Sequence, residues 1–173
     1  MQKDPHTWLD PKIVKVNLDI ILESIIALDP TNSEFYNTNY KALLDQLDKL
    51  NDRIESIKRC NNPQFLTNHD GFGYMSSRLG LIVTPITELN ENETPSAQKL
   101  EELTQLIKTQ KIKHILIDKN SNQTFSNKLI ELTGISAVPM NTMESKDENN
   151  DFSFFNLYKN NLNAILEVNK CVL

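Results

Sequence analysis

Two histidines stand in settings that suit metal chemistry. His6 lies in Asp4-Pro5-His6-Thr7-Trp8-Leu9-Asp10-Pro11 and His69 in Asn68-His69-Asp70-Gly71-Phe72-Gly73-Tyr74, sixty-three positions later. Each is read at a turn beside a helix start, where a rigid element fixes the direction of the imidazole lone pair. Two such loops brought together make half a metal site. Either histidine alone reads more simply as a capping or core residue. The third, His114, begins an apolar run and reads as structural. Cys60 and Cys171 lack a CxxC spacing, which disfavours a cysteine zinc site and leaves one disulfide or two buried thiols open.

The elements that must position these residues follow from periodicity and capping. Asp10-Pro11 is a helix start, with aspartate as N-cap and proline at the first helical position. Val14, Leu18, Ile21, Ile25 and Leu28 then form one apolar stripe up to Asp29-Pro30. Thr31 to Glu34 fits a capping box for a second helix, expected from Asn32 to Arg59 and roughly 40 Å long. Its seam of Tyr36, Tyr40, Leu43, Leu47, Leu50, Ile54 and Ile57 suits a coiled coil or packing on the preceding helix; its shortness favours the internal partner.

After Asn61-Asn62-Pro63 the pattern turns α/β. Strands are expected at 64–67, 81–86, 113–117 and 135–140. Helices are expected from His69 to Leu79 with Gly80 closing, from Pro95, from Phe125 to Thr133 with Gly134 closing, and from Phe154 to Val168. Asn90–Thr94 and Ser145–Asp151 read as polar loops. The expected fold is α/β, a four-stranded parallel sheet flanked by helices and preceded by a short helix and a long backbone helix. Residues 1–62 form the leading segment and 63–173 the α/β lobe.

In an open parallel sheet, ligands bind beyond the carboxyl ends of the strands. His69 follows the first strand of the lobe, Asn141 follows the fourth, and His6 reaches the same edge from the entering segment. Asp70 reads as a helix cap or as an orienter of a ligand. Asp118, at the end of the third strand, supports a histidine or simply faces a loop. Trp8 and Tyr74 read as packing around the site.

The runs DPHTWLDP, DPTNSEFYNTNYKALLDQLDKL, NHDGFGYMSSRLGL and NETPSAQKLEELTQLIKTQKI, in that order and spacing, resemble the ZnuA/TroA/PsaA-like metal-binding receptors of zinc and manganese ABC importers. The resemblance implies a receptor that captures zinc, with manganese as the alternative, and passes it to an ABC permease in the membrane. It implies His6 and His69 as ligands, and a histidine at 69 matches the zinc-type receptors more than the manganese-type. The family's usual aspartate after the last strand is Asn141 here, a weak uncharged donor, so Glu144 or Asp147 must substitute if affinity is to be kept. The resemblance further implies an N-terminal lobe, with a leader and one more histidine, that this chain lacks; the chain then corresponds to the interlobe segment (1–62) and the C-terminal metal-binding lobe. Weak or absent zinc binding by the chain alone is the expectation. The parent is placed at the periplasmic or extracellular face of the membrane, and surface adhesion is a further implication.

Composition bounds the alternatives. At 173 residues with 39% apolar and 24% charged side chains, the chain suits one folded domain, or one domain plus an appendage, that buries about two thirds of its unfolded surface. A net charge of −5 without a basic tract disfavours nucleic acid. Four glycines exclude GxGxxG and P-loop motifs, and no GxSxG or HExxH occurs. No signal peptide or membrane-spanning run is read in the chain. A metallohydrolase and a coiled-coil interaction protein remain as alternatives to the receptor.

Overall fold

The structure is a computed structural model and describes residues 4–87, 96–118, 120–144 and 153–173. A 3-10 turn at Thr7–Leu9 leads into α1 (Pro11–Leu28), whose N-cap Asp10 accepts the Lys12 amide and whose first residue is the expected proline. The expected capping box at Thr31 and Glu34 does not form. Pro30–Asn32 is a second 3-10 turn, and Asn32 caps α2 (Ser33–Glu55) without a side-chain bond. Asp29 organises the corner instead, accepting from the Asn32 amide at 2.7 Å and the Tyr36 hydroxyl at 2.8 Å. Both bonds hold the Asp29 carboxyl below its usual range.

α2 is about 35 Å long and stops at Glu55, short of the expected Arg59. There the backbone turns into β1 (Arg59–Cys60), a strand that periodicity does not reveal. It is followed by β2 (Gln64–Thr67), α3 (Gly73–Arg78), β3 (Ile82–Pro85), α4 (Ala97–Gln110), β4 (His114–Asp118), α5 (Thr124–Thr133), β5 (Ser136–Met140), α6 (Phe154–Val168) and β6 (Cys171–Val172). His69 lies in the loop before α3 and does not open it; the N-cap of α3 is Phe72, so the capping reading of Asp70 falls. Pro95, the expected start of the next helix, lies outside the described residues, as do the loops expected at 90–94 and 145–151; α4 is capped by Ser96, which accepts from Lys99.

The main sheet has the order β3-β2-β4-β5 and every pairing is parallel. Side chains alternate across it, as the two-residue period of a strand requires. Phe65, Leu116 and Met140 face α2, α3 and α6, in a core with Leu50, Ile54, Phe72, Met75, Tyr158 and Leu162. Leu66, Ile115 and Ile117 face α4 and α5, in a second core with Leu103, Ile107 and Leu129. Pro139 stands in β5, an edge strand, where the missing N–H breaks no inner ladder.

A second, two-stranded sheet pairs β1 with β6 antiparallel, and Cys60 is disulfide-bonded to Cys171 across it. The open question of the cysteines is thereby answered in favour of the bond. α1 packs along α2, the internal partner expected for the seam. The stripe expected on α1 is partly wrong, however. Val14 and Leu18 are half-buried, but beyond them Leu22 and Ile26 take the inner positions while Ile21, Ile25 and Leu28 are exposed. Among the described residues, no helix is long and apolar enough to cross a membrane.

Candidate metal centre

The carboxyl ends of β2, β4 and β5 open toward the segment that precedes α1. That segment is fastened to the lobe at three points. The Trp8 indole N–H donates to the Thr142 carbonyl at 2.7 Å, the buried Tyr158 hydroxyl donates to the Leu9 carbonyl at 3.2 Å, and Arg78 reaches Asp10 Oδ1 and Asn51 Oδ1 at 3.2 Å each. Burial pushes the Tyr158 phenol far above its usual range, so it remains a donor throughout the physiological range. Trp8 is thus a clamp between the entering segment and the loop after β5, more than packing. Tyr74 extends the same fastening, donating to the Asp4 carbonyl at 3.4 Å.

His6 sits at the start of the Thr7–Leu9 turn and is 1% exposed; His69, in the loop after β2, is 3% exposed. Their Nε2 atoms lie 3.1 Å apart. With zinc–nitrogen bonds of about 2.0–2.1 Å, two tetrahedral donors are expected about 3.3 Å apart. Glu144 completes the cluster. Its Oε1 is 2.7 Å from His6 Nε2 and its Oε2 is 3.8 Å from His69 Nε2. His6, His69 and Glu144 thus offer three ligand atoms within 4.8 Å of one another, the group among the described residues that could hold a metal ion. The three donors crowd lone pairs around one point, and a cation there satisfies all of them.

The supporting residues fix this arrangement. Asp4, which sequence reasoning did not single out, lies 2.6 Å from His6 Nδ1 through its Oδ1, and the same oxygen accepts the His6 backbone N–H at 2.9 Å. With Nδ1–H donating to that carboxylate, which accepts only, Nε2 is the nitrogen that can offer a lone pair to a cation held with Glu144. The signal for Asp4 was present in Asp-Pro-His, an acid two residues ahead of a candidate ligand. Gly73 leaves room for it: a Cβ there would meet Asp4 Oδ2 at 2.9 Å. Gly71 does the same for His69, since a Cβ would stand 2.8 Å from the ring Cδ2 and 2.9 Å from Thr142 Cγ2.

Asp118 is buried at the end of β4 and acts on a loop. Its Oδ2 accepts the Thr142 backbone N–H at 2.8 Å and the Thr142 hydroxyl, and its Oδ1 accepts from Asn120. It therefore steadies the turn that delivers Glu144. Asn68 ties that strand end to the His69 loop, accepting the Asp118 amide at 2.7 Å. Asn141 is also buried at this edge, yet its Oδ1 accepts the Met143 amide at 2.7 Å and is already engaged. Its main chain is clamped by Asn161 of α6, and its Nδ2 is buried with no hydrogen-bond partner among the described residues. The structure thus brings His6, His69 and Glu144 to one point, with Asn141 beside them and turned to the backbone. Asp70 is half-buried in the loop next to His69. Asp147, the other candidate substitute, lies outside the described residues.

Comparison with known proteins places this geometry in context. Residues 1–168 match a family model described as ZnuA, zinc-uptake complex component A, periplasmic. The high-affinity zinc uptake system protein ZnuA of Bacillus subtilis is 32% identical over 168 residues, which are 94% of this chain and 52% of that protein. The zinc-binding lipoprotein AdcA of Streptococcus pneumoniae is 29% identical, over 94% of this chain and 33% of its own length. Among solved structures, a Zn(II)-bound variant of AdcAII from Streptococcus pneumoniae superposes with a TM-score of 0.81 at 26% identity, over 96% of this chain and 60% of that one. The chain spans about half the length, or less, of the curated relatives it matches.

Proposed function

This chain belongs to the ZnuA family, and we propose that it is the metal-holding part of a receptor that captures zinc and delivers it to a membrane permease of the ABC type. The single observation that carries the reading is the meeting of His6 Nε2, His69 Nε2 and the Glu144 carboxylate at one point, backed by Asp4. Two nitrogens and one carboxylate oxygen favour zinc over manganese, which prefers oxygen-rich sets. Residues 1–62 act as the segment between two lobes and 63–173 as the lobe that supplies these donors.

Three protein donors leave one position of a tetrahedral ion open. A donor from a further lobe fits that vacancy, so the chain alone binds zinc more weakly than a two-lobed parent. The apolar residues exposed on α1 and at the start of α2, among them Ile20, Ile21, Leu28 and Phe35, support a surface on which such a lobe packs. Names of the relatives support a site of action at the outer face of the cell membrane.

Titration calorimetry with zinc on the metal-stripped chain tests the proposal. One ion per chain is expected, with at least a hundredfold loss of affinity in His6→Ala and in His69→Ala, and weaker binding of manganese. Unchanged affinity in both variants would remove these residues from the site. Three protein donors with an open position are also the donor count of catalytic zinc. Zinc-dependent ester hydrolysis that disappears in His69→Ala with folding intact would favour a hydrolase instead.

A further inference from the structure

At the opposite end of the main sheet, where β2 and β4 begin, a cavity of about 170 Å³ is lined by Asn62, Gln64, Lys111, Lys113, His114 and Lys170, with a few apolar neighbours. β4 spans five residues, about 13 Å, and the candidate metal centre lies beyond its far end. Acids outnumber bases in the chain, 23 to 18, yet among the described residues no carboxylate lines the cavity. None of the three lysines has a carboxylate partner among the described residues. His114 is a wall residue whose Nδ1 is buried and has no hydrogen-bond partner among the described residues.

Two of the lysines occupy unusual backbone. Lys111 closes α4 at φ 53° and Lys170 follows α6 at φ 51°, left-handed positions that α5 gives to Gly134. A non-glycine residue there costs about 1–2 kcal/mol. Attraction to a helix carboxyl end offsets some of that for Lys111 and Lys170. It does not account for Lys113, which lies on neither helix end. The walls are fixed in advance: Asn62 donates its backbone N–H to the Asn169 carbonyl at 3.0 Å, Asn169 Nδ2 donates to the Asn62 carbonyl at 2.8 Å, and the Cys60–Cys171 bond closes the same ladder.

We propose that this cavity is a binding site for a phosphate-type oxyanion, held by the exposed Lys111, Lys113 and Lys170 ammonium groups, with the His114 side chain in its wall. The volume is below the roughly 300 Å³ at which pockets for drug-sized molecules begin, which fits a small anion or the exposed phosphate of a lipid headgroup. The site is separate from the metal centre and does not depend on the zinc reading.

The test uses glycine, which removes the ammonium groups and suits the left-handed backbone, so that the double variant Lys111→Gly with Lys170→Gly keeps its fold. Inorganic phosphate is titrated into the chain at 0.15 M sodium chloride, following the His114 ring resonances by NMR. Saturable shifts are expected, with affinity at least tenfold weaker in the double variant and zinc titration unchanged. In a parallel arm the chain is sedimented with vesicles of phosphatidylglycerol in phosphatidylcholine. Binding lost in the double variant assigns the phosphate to a lipid; phosphate binding without vesicle binding assigns it to the free ion. The proposal is overturned if neither probe binds, or if both bind the double variant as tightly as the unaltered chain.

Discussion

Replacing Gly71 by alanine separates the geometry of the candidate metal centre from the stability of the fold. The added Cβ would stand 2.8 Å from His69 Cδ2, 3.0 Å from His69 Nε2 and 2.9 Å from Thr142 Cγ2. Ordinary contact begins near 3.4 Å, so the imidazole must retreat by about 0.6 Å or the Thr142 turn must shift. Both neighbours belong to the centre: one is the ring whose Nε2 faces His6, the other precedes Glu144. Overpacking of this kind costs about 1–3 kcal/mol, equal to a fall in Tm of roughly 2–12 °C for a chain of this length. Displaced ligand supports typically cost 10–100-fold in metal affinity, and the same loss is expected for zinc. Gly80→Ala is the control, because Gly80 has φ +64° and nothing within 4 Å of a Cβ. It should cost about 1–2 kcal/mol of stability and leave zinc binding untouched. Calorimetric zinc titration and thermal melting of both variants decide the matter. Zinc affinity within twofold of the unaltered chain in Gly71→Ala would refute the packing argument.

Asp4→Asn should lower zinc affinity about 10–100-fold while leaving the melting temperature nearly unchanged, read by the same titration; an effect confined to stability would deny Asp4 its hold on His6. Removing the Cys60–Cys171 bond, with both cysteines changed to alanine, opens a loop spanning 111 positions. The chain-entropy estimate is about 4–5 kcal/mol, to be seen as a lower urea midpoint. Asp29 sets the pH response of the α1–α2 corner. Its carboxyl is held below 3.8 by bonds from Asn32 and Tyr36, so its stabilising contribution is complete above the ordinary carboxylate value and is lost as pH falls through the depressed one. The difference in urea midpoint between the unaltered chain and Asp29→Asn should therefore be present at pH 6 and vanish at strongly acid pH.

What the sequence disclosed depended on whether the cause was local. Asp10-Pro11 marks the start of α1, Gly134 the end of α5, and Phe154–Val168 the whole of α6, because capping and helical period are settled within a few residues. β1 and β6 are two residues each and exist through a pairing between distant segments, so no local pattern could announce them. The stripe on α1 misled because apolar spacing reports what can be buried, while Ile21 and Leu28 stay exposed among the described residues. The Thr31–Glu34 box lost to a proline-led turn built on Asp29. At the candidate metal centre, the approach of His6 to His69 was legible from strand order and motif. Asp118 was legible in position but not in task, since its bond to Thr142 depends on how the loop after β5 folds. Asn141 falls back on the backbone, and Glu144 was legible only as a substitute.

The most direct measurement is X-ray absorption at the zinc edge on the chain loaded with one equivalent of zinc. The account predicts two imidazole nitrogens and at least one carboxylate oxygen near 2.0–2.2 Å, with one nitrogen shell lost in His69→Ala and the carboxylate oxygen lost in Glu144→Gln. A spectrum dominated by water oxygens, unchanged by either substitution, would contradict it.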